Sequence, residues 1–148
     1  MKVVLQRVAS ASVSIDTKIV GRIGQGLVVL IGVANGDTEK DAQYIAQKTV
    51  GLRIFADDAG KFNLSIQDIK GELLVVSQFT LLADTRKGRR PSFMDAASPA
   101  EAEALIERFV AEVRASGLKV ETGRFQQYMN VEIHNDGPVT IVMDSREG

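Results

Sequence analysis

The 148-residue chain has no cysteine and no tryptophan, only three prolines and a single histidine. Without cysteine there is no disulfide, no thiolate nucleophile and no zinc-thiolate site, and a reducing cytosol is the default setting. His134 has no serine or threonine at a spacing that would link it to a triad, so a conventional nucleophile-base pair lacks its base. Lying beside Ile133 and next to a turn, it reads as a surface or edge-strand residue. One histidine and dispersed carboxylates offer no metal-ligand spacing, and no metal or other cofactor is expected. Gly21 to Gly26 is not a dinucleotide fingerprint, because it lies between strands instead of opening a helix. No apolar run approaches the ~18 residues of a membrane span, and Met1-Lys2-Val3-Val4-Leu5-Gln6-Arg7 lacks the core of a signal peptide. A cytoplasmic protein without membrane contact is therefore expected. Charge of one sign is also missing: the net charge is −1, which argues against a broad phosphate footprint and makes any RNA contact a local one.

What is present is the patterning of one globular α/β domain over residues 1–148, with 45% hydrophobic and 25% charged residues. Val3, Leu5, Ala9, Ala11, Val13 and Ile15 alternate with Gln6, Ser10, Ser12 and Ser14, which predicts a strand with one buried face. Arg7 falls on that apolar face and must reach the strand's end or meet a specific partner, which makes it a candidate site residue. Turns at Asp16-Thr17-Lys18 and Gly24-Gln25-Gly26 predict a three-stranded meander ending in Leu27 to Val33. Asp37 or Thr38 can cap a helix with the stripe Ala42, Ile45, Ala46, Thr49 and Val50, ending near Gly51. Leu52 to Ala56 reads as a strand and Lys61 to Gly71 as a loop.

Leu73 to Val76 is a buried strand that runs into the polar patch Ser77-Gln78-Phe79-Thr80, and the ends of such strands are frequent ligand positions. A basic loop covers Thr85 to Ser92. Ser98-Pro99-Ala100-Glu101 opens a second helix with a cap, a first-turn proline and a capping box. Its apolar face is Leu105, Phe109 and Val113 with Ala102 and Ile106. A short strand at Lys119 to Glu121 follows. Finally Met129, Val131 and Ile133 alternate, Asn135-Asp136-Gly137-Pro138 reads as a hairpin turn, and Val139 to Met143 returns as a strand. The expected fold is a mixed, largely antiparallel sheet forming a barrel-like core with two main helices.

Two segments, Ser77-Gln78-Phe79-Thr80-Leu81 and Asn135-Asp136-Gly137-Pro138-Val139-Thr140, match in order and spacing the signature segments of the D-aminoacyl-tRNA deacylases. Gln6-Arg7-Val8, Ala11-Ser12-Val13, Gly51 to Phe55, Arg90-Pro91-Ser92-Phe93 and Thr122-Gly123-Arg124-Phe125 also resemble that family. The similarity covers almost the whole chain; Gln127 and Tyr128 depart from the family pattern at the expected pocket rim.

The resemblance implies hydrolysis of the ester between a D-amino acid and the terminal ribose of tRNA, by a homodimer with its sites at the subunit interface. It implies catalytic roles for Gln78, Phe79 and Thr80, with the backbone N–H groups near Phe79 and Thr80 as oxyanion donors. Ser77 would shape the pocket and Met129 would line its adenosine side. Gly137-Pro138 would be a cis peptide inserted from the partner subunit to exclude L side chains, with Arg7 bracing it. Thr80 is the one hydroxyl suited to a covalent route, but the sequence shows no base for it, so a non-covalent route assisted by the ribose 2′-hydroxyl is favoured. The competing readings are a non-catalytic RNA-binding module on the same fold using Arg86 to Arg90, an esterase of small D-amino acid esters, and a structural homodimer.

Overall fold

In the computed structural model, which describes residues 1–148, β1 (Lys2–Ile15) is followed by β2 (Lys18–Ile23) and β3 (Gly26–Gly32). Asp16 and Thr17, at φ of 48° and 69°, reverse the chain after β1. The pairs Ala11↔Ile23 and Val8↔Gly26 belong to one alignment, so β2 and β3 lie end to end along the same edge of β1. The expected meander is thus a single long hairpin. Gly24-Gln25 bends its second arm without reversing it, because both residues are engaged elsewhere. The Gly24 N–H donates to the Glu72 carboxylate at 2.8 Å, and the Gln25 carbonyl accepts the Glu72 N–H at 3.0 Å.

The sheet continues in parallel through β6 (Glu72–Ser77) and β7 (Lys119–Thr122), in the order β2-β1-β3-β6-β7. It curls until β2 meets β6 and β7; a Cβ on Gly21 would lie 3.1 Å from the Thr122 carbonyl. The result is one α/β domain with a nearly closed, barrel-like sheet and two helices, in line with the expected fold. Val8, Ala11, Val13, Ile23, Val28, Leu74 and Val76 fill the inside of the curl. The opposite face carries Val3, Leu5, Leu27, Val29, Ile31, Leu73 and Val75, covered by α1 (Glu39–Gly51) and α2 (Pro99–Ala115).

β1 therefore does not keep one buried face. Val3 and Leu5 point to the helices, whereas Ala11 and Val13 point into the barrel, and Ala9 is exposed. The switch occurs at a bulge, where Val8 pairs with Asn135 and Ser10 with the neighbouring His134. One extra residue flips every later side chain to the other side.

Both helices start where their sequence signals put them, although the complete capping box is at Thr38 and Asp41 and not at Ser98 and Glu101, where it was expected. Thr38 precedes α1, its N–H held by the Asp41 carboxylate at 2.8 Å, and Ala42, Ile45, Ala46, Thr49 and Val50 are the buried residues. Ser98 caps α2 by accepting the Glu101 N–H at 3.4 Å, and Phe109, Val110 and Val113 are its buried residues. Between them the expected strand shrinks to β4 (Phe55–Ala56), and the expected loop contains β5 (Phe62–Leu64), its antiparallel partner. No helix is long and apolar enough to cross a membrane.

The largest departure from the expected fold is at the C-terminus. β8 (Asn130–Asp144) does not fold back on itself at Asp136 to Pro138; both of its halves run antiparallel to β1 in the same direction. Gln6 pairs with Thr140 and Val8 with Asn135, so residues 136 to 139 loop out of the ladder where a hairpin was expected. The physical reason is that β1 is long enough to accept both halves, and an excursion from a paired strand loses less than a separate, unpaired hairpin would. β8 has only β1 as a partner, which leaves its outer edge unpaired.

Candidate active site

Leu73 and Val75 face the helices and Leu74 and Val76 the barrel, so the same alternation turns Ser77 toward α2. The Gln78 N–H closes the last rung, to the Ile31 carbonyl at 2.8 Å, after which the chain leaves the sheet as a 3-10 turn over Phe79–Leu82. Gly32 makes room for that departure: a Cβ there would stand 2.9 Å from the Gln78 carbonyl and 2.6 Å from Leu82. Within the turn, Leu81 and Ala83 donate back to the carbonyls of Gln78 and Thr80. The Phe79 and Thr80 N–H groups open the turn and have no partner inside it. They are two adjacent donors beside an exposed surface, the arrangement that stabilises a developing oxyanion.

The Gln78 side-chain amide donates to Thr80 Oγ1. That contact occupies an acceptor position on the hydroxyl and supplies no base to deprotonate it. Phe79 is 59% exposed and rests edge-on against Phe93, with ring centroids 5.0 Å apart. Phe93 was legible only as part of the Arg90-Pro91-Ser92-Phe93 resemblance, and its packing under Phe79 could not be read from spacing.

A cleft of about 590 Å³ opens beside this turn, between β6, β7 and α2. Ser77, Ile106, Thr122, Gly123 and Phe125 line it, together with Glu103, Glu107 and Arg114 of α2 and Arg124 just beyond β7. Met129 is placed behind one wall. Its sulfur is 2.6 Å from where a Gly123 Cβ would be, and it accepts the Arg124 N–H at 3.4 Å. The structure thus joins Met129 to Ser77 through Gly123, a connection that linear patterning does not show. Tyr128 is 95% exposed.

Arg7, Gly137 and Pro138 form a second cluster. Arg7 Nε donates to the Asp136 carbonyl at 3.0 Å and Nη1 to the Ile54 carbonyl at 2.9 Å, while its guanidinium lies 5.4 Å above the Phe62 ring. This is the specific partner that a guanidinium on an apolar strand face requires. The Ile54 carbonyl and the Phe62 ring lie in stretches where the pattern predicts a longer strand and a loop, so neither contact with Arg7 is visible in the sequence. The loop that Arg7 holds is also tied internally, by the Val139 N–H to Asn135 Oδ1 at 2.9 Å. The Gly137-Pro138 peptide is cis and fully at the surface.

The two clusters are separated. Gly137 and Pro138 lie at the level of Arg7 and Leu27, whereas Ser77 pairs with Ile31, and β1 and β3 intervene between β8 and β6. Strand geometry puts them about 13 Å apart along the strands and about 14 Å across them.

Beyond the 3-10 turn, Asp84 and Ser92 exchange both backbone hydrogen bonds, at 2.8 and 2.9 Å, and close the neck of the basic loop. Arg86 folds back on Asp84 through two side-chain hydrogen bonds of 2.9 and 2.8 Å. Those bonds, followed by the one from the Arg86 N–H, hold the Asp84 carboxyl down to about 2. Because the folded value is depressed, the stabilisation is full above the ordinary carboxylate range near about 4 and is lost as pH falls through the folded value. A carboxyl-carbon NMR titration should accordingly find Asp84 still ionised at about pH 3, where unpaired aspartates are mostly protonated; a midpoint near 4 would contradict the pairing.

These features define a barrel-like α/β domain with two adjacent backbone donors at the end of a sheet strand, beside an open cleft. The chain matches the family model described as D-Tyr-tRNA(Tyr) deacylase over residues 4–144. It is 59% identical over 147 residues to a D-aminoacyl-tRNA deacylase of Dehalococcoides mccartyi, covering 99% of this chain and 96% of that one. A D-aminoacyl-tRNA deacylase of Thermotoga petrophila is 56% identical over 145 residues, or 98% and 97% of the two chains. Among solved structures, the c-Myc DNA Unwinding Element Binding Protein superposes with a TM-score of 0.91 at 39% identity, over 97% of this chain and 98% of that one. A probable eukaryotic D-amino acid tRNA deacylase shares the fold, at a TM-score of 0.81 and 19% identity over 96% and 97% of the chains. The chain belongs to the D-aminoacyl-tRNA deacylase family and is a hydrolase of aminoacyl-tRNA ester bonds.

Proposed function

We propose that this chain clears D-aminoacyl-tRNA, and glycyl-tRNA joined to the wrong acceptor, as a homodimer in the cytoplasm, as part of translation quality control. In this reading the Gly137-Pro138 tip of one protomer reaches the Ser77 to Thr80 turn of the other. The observation that carries it is the separation of the two clusters. A tip and a cleft too far apart to meet within one chain are both exposed, and β8, which bears the tip, has an unpaired outer edge on which a second copy can seat.

The acceptor end of the tRNA enters the cleft, with Ser77 lining it, Gln78 beyond its edge holding Thr80, and Met129 backing the adenosine side through Gly123. Water attacks the ester carbonyl, the oxyanion is received by the Phe79 and Thr80 N–H groups, and the C–O bond to the ribose then breaks. The ribose oxygen takes up the proton that the water gives up, with the neighbouring 2′-hydroxyl of the RNA assisting. Loss of one such donor typically lowers the rate by about 100 to 1,000-fold. Backbone carbonyls at the tip occupy the space an L side chain needs, so selection works by exclusion. Glycine has nothing to exclude and passes. Arg7 keeps the tip in place.

The test is release of amino acid from matched D-Tyr-tRNA, L-Tyr-tRNA and Gly-tRNA at equal, low enzyme concentration. Rapid loss of the D and glycyl esters with the L ester spared is expected; no hydrolysis of any of them leaves only an RNA-binding module. Thr80→Val adds the mechanism. Since the hydroxyl accepts one hydrogen bond and has no base, activity should stay within about tenfold of wild type, whereas a loss of about 10⁴-fold would make Thr80 the nucleophile.

A further inference from the structure

The basic loop is the one surface whose charge departs sharply from the rest of the chain. Residues 85 to 91 hold Arg86, Lys87, Arg89 and Arg90 and no acid, in a protein whose net charge is −1. All four cations are exposed. They are not equivalent. Arg86 is neutralised by Asp84 at the neck, whereas Lys87, Arg89 and Arg90 make no ion pair and no side-chain hydrogen bond.

The loop is also fixed in place relative to the site. Its neck, the double hydrogen bond between Asp84 and Ser92, begins two residues after the 3-10 turn that carries Phe79 and Thr80. On the other side of the neck Phe93 packs against Phe79. Three unpaired cations are therefore held on a short, doubly anchored projection next to the turn that receives the ester. Gly88, at φ of 65° with no atom within 4 Å of a Cβ, lets the tip reverse and point its neighbours outward.

We propose that Lys87, Arg89 and Arg90 grip the phosphates of the acceptor stem just behind the aminoacylated 3′ end, with the Asp84–Arg86 pair serving as the strut that sets their position. This rests on the deacylase reading and adds to it the source of affinity for the RNA body. The cleft is electrically mixed, with two cations, Arg114 and Arg124, and two carboxylates, Glu103 and Glu107, in its lining, so its charge offers little net attraction for an RNA backbone. The loop supplies the salt-dependent part of binding, which carries no sequence information and suits an enzyme that must accept many tRNAs.

The experiment compares wild type with the triple variant Lys87→Gln, Arg89→Gln, Arg90→Gln. An uncharged acceptor-stem RNA minihelix is titrated by fluorescence anisotropy from about 50 to 300 mM salt, and hydrolysis is measured for D-Tyr-tRNA and for D-tyrosyl-adenosine, which has no stem. The triple variant should bind the minihelix at least about tenfold more weakly at the lowest salt, and the slope of log K against log salt should become shallower by about 2 to 3. The ratio of kcat/KM on D-Tyr-tRNA to that on D-tyrosyl-adenosine should fall by a similar factor. Unchanged affinity and slope would overturn the proposal, as would an equal loss on both esters, since the loop would then be acting on the catalytic turn and not on the stem. A wild-type protein that binds the minihelix with the steep slope but hydrolyses neither ester would leave the loop assignment standing and remove the deacylase reading.

Discussion

Alanine in place of Gly137 is expected to lower turnover of D-tyrosyl-tRNA about a hundredfold while the sheet stays folded. Gly137 has φ of 138°, which side chains rarely adopt, and its added Cβ would meet Val139 Cγ2 at 2.8 Å, Val139 N at 3.0 Å and an Arg7 terminal nitrogen at 3.3 Å. None of these yields freely. Val139 is 9% exposed and its N–H is held by Asn135, and Arg7 is held by the carbonyls of Asp136 and Ile54. The tip itself must move. A strained position of this kind costs about 1 to 3 kcal/mol, which a domain of this size tolerates, and a displacement of about 1 Å at a positioning element costs about a hundredfold in rate. The measurement is kcat/KM on D- and L-tyrosyl-tRNA together with Tm. Wild-type rates and selectivity in the variant would mean that the tip does not meet the substrate.

The second large effect is on folding. A Cβ at Gly26 would lie 1.7 Å from the Glu72 carbonyl oxygen and 2.7 Å from both its carbonyl carbon and its nitrogen. All three are backbone atoms in the parallel seam between β3 and β6, so no rotamer relieves the clash and the seam must open. Gly26→Ala should therefore cost about 4 kcal/mol or more, at the far end of what single substitutions do, out of a total of roughly 5 to 15 kcal/mol. In a chain of this length that corresponds to a fall in Tm of about 10 °C or more. Gly24→Ala is the control. Its nearest neighbour would be the Glu72 carboxylate at 3.5 Å, an ordinary van der Waals contact with a side chain, and its effect should stay within about 0.5 kcal/mol. Thermal unfolding of the two variants side by side decides the matter; similar Tm values would show that the seam is not closely packed at Gly26.

The elements that could be read from the sequence are those whose determinants are local. The Ser98-Pro99 start of α2, the stripe of α1 and the apolar run ending at Ser77 each depend on a few neighbouring residues, and each is found where the pattern puts it. The misread elements depend on partners far along the chain. Gly24-Gln25 reads as a reversal until Glu72 takes hold of both residues. Asp136 to Pro138 reads as a hairpin tip until β1 pairs with the chain on both sides of it. The bulge that turns Ala11 and Val13 into the barrel is set by pairing with β8 and leaves no trace in the alternation of β1 itself.

The site shows the same division. Ser77 to Thr80 were marked by their place at the end of an apolar strand, and Arg7 by its charge on an apolar face. The cleft wall of Gly123 and Phe125, the Phe93 support and the Ile54 and Phe62 contacts of Arg7 are products of tertiary packing, for which single-sequence patterns carry no signal.

The pairing of β1 with β8 also sets the order of events during synthesis. β1 and the two segments that extend along its first edge leave the ribosome early and can form their hairpin at once, since the contacts are between near neighbours. The second edge of β1, from Lys2 to Ser14, has no partner until Asn130 to Asp144 emerge, a delay on the order of ten seconds at typical elongation rates. For that time the nascent chain carries an open strand edge next to Val8, Ala11 and Val13, the kind of surface on which chains join each other or recruit a chaperone. β8 therefore covers the edge of β1 that stays open longest and presents the Gly137-Pro138 tip in a single step, so the chain acquires its complete surface only when that strand docks.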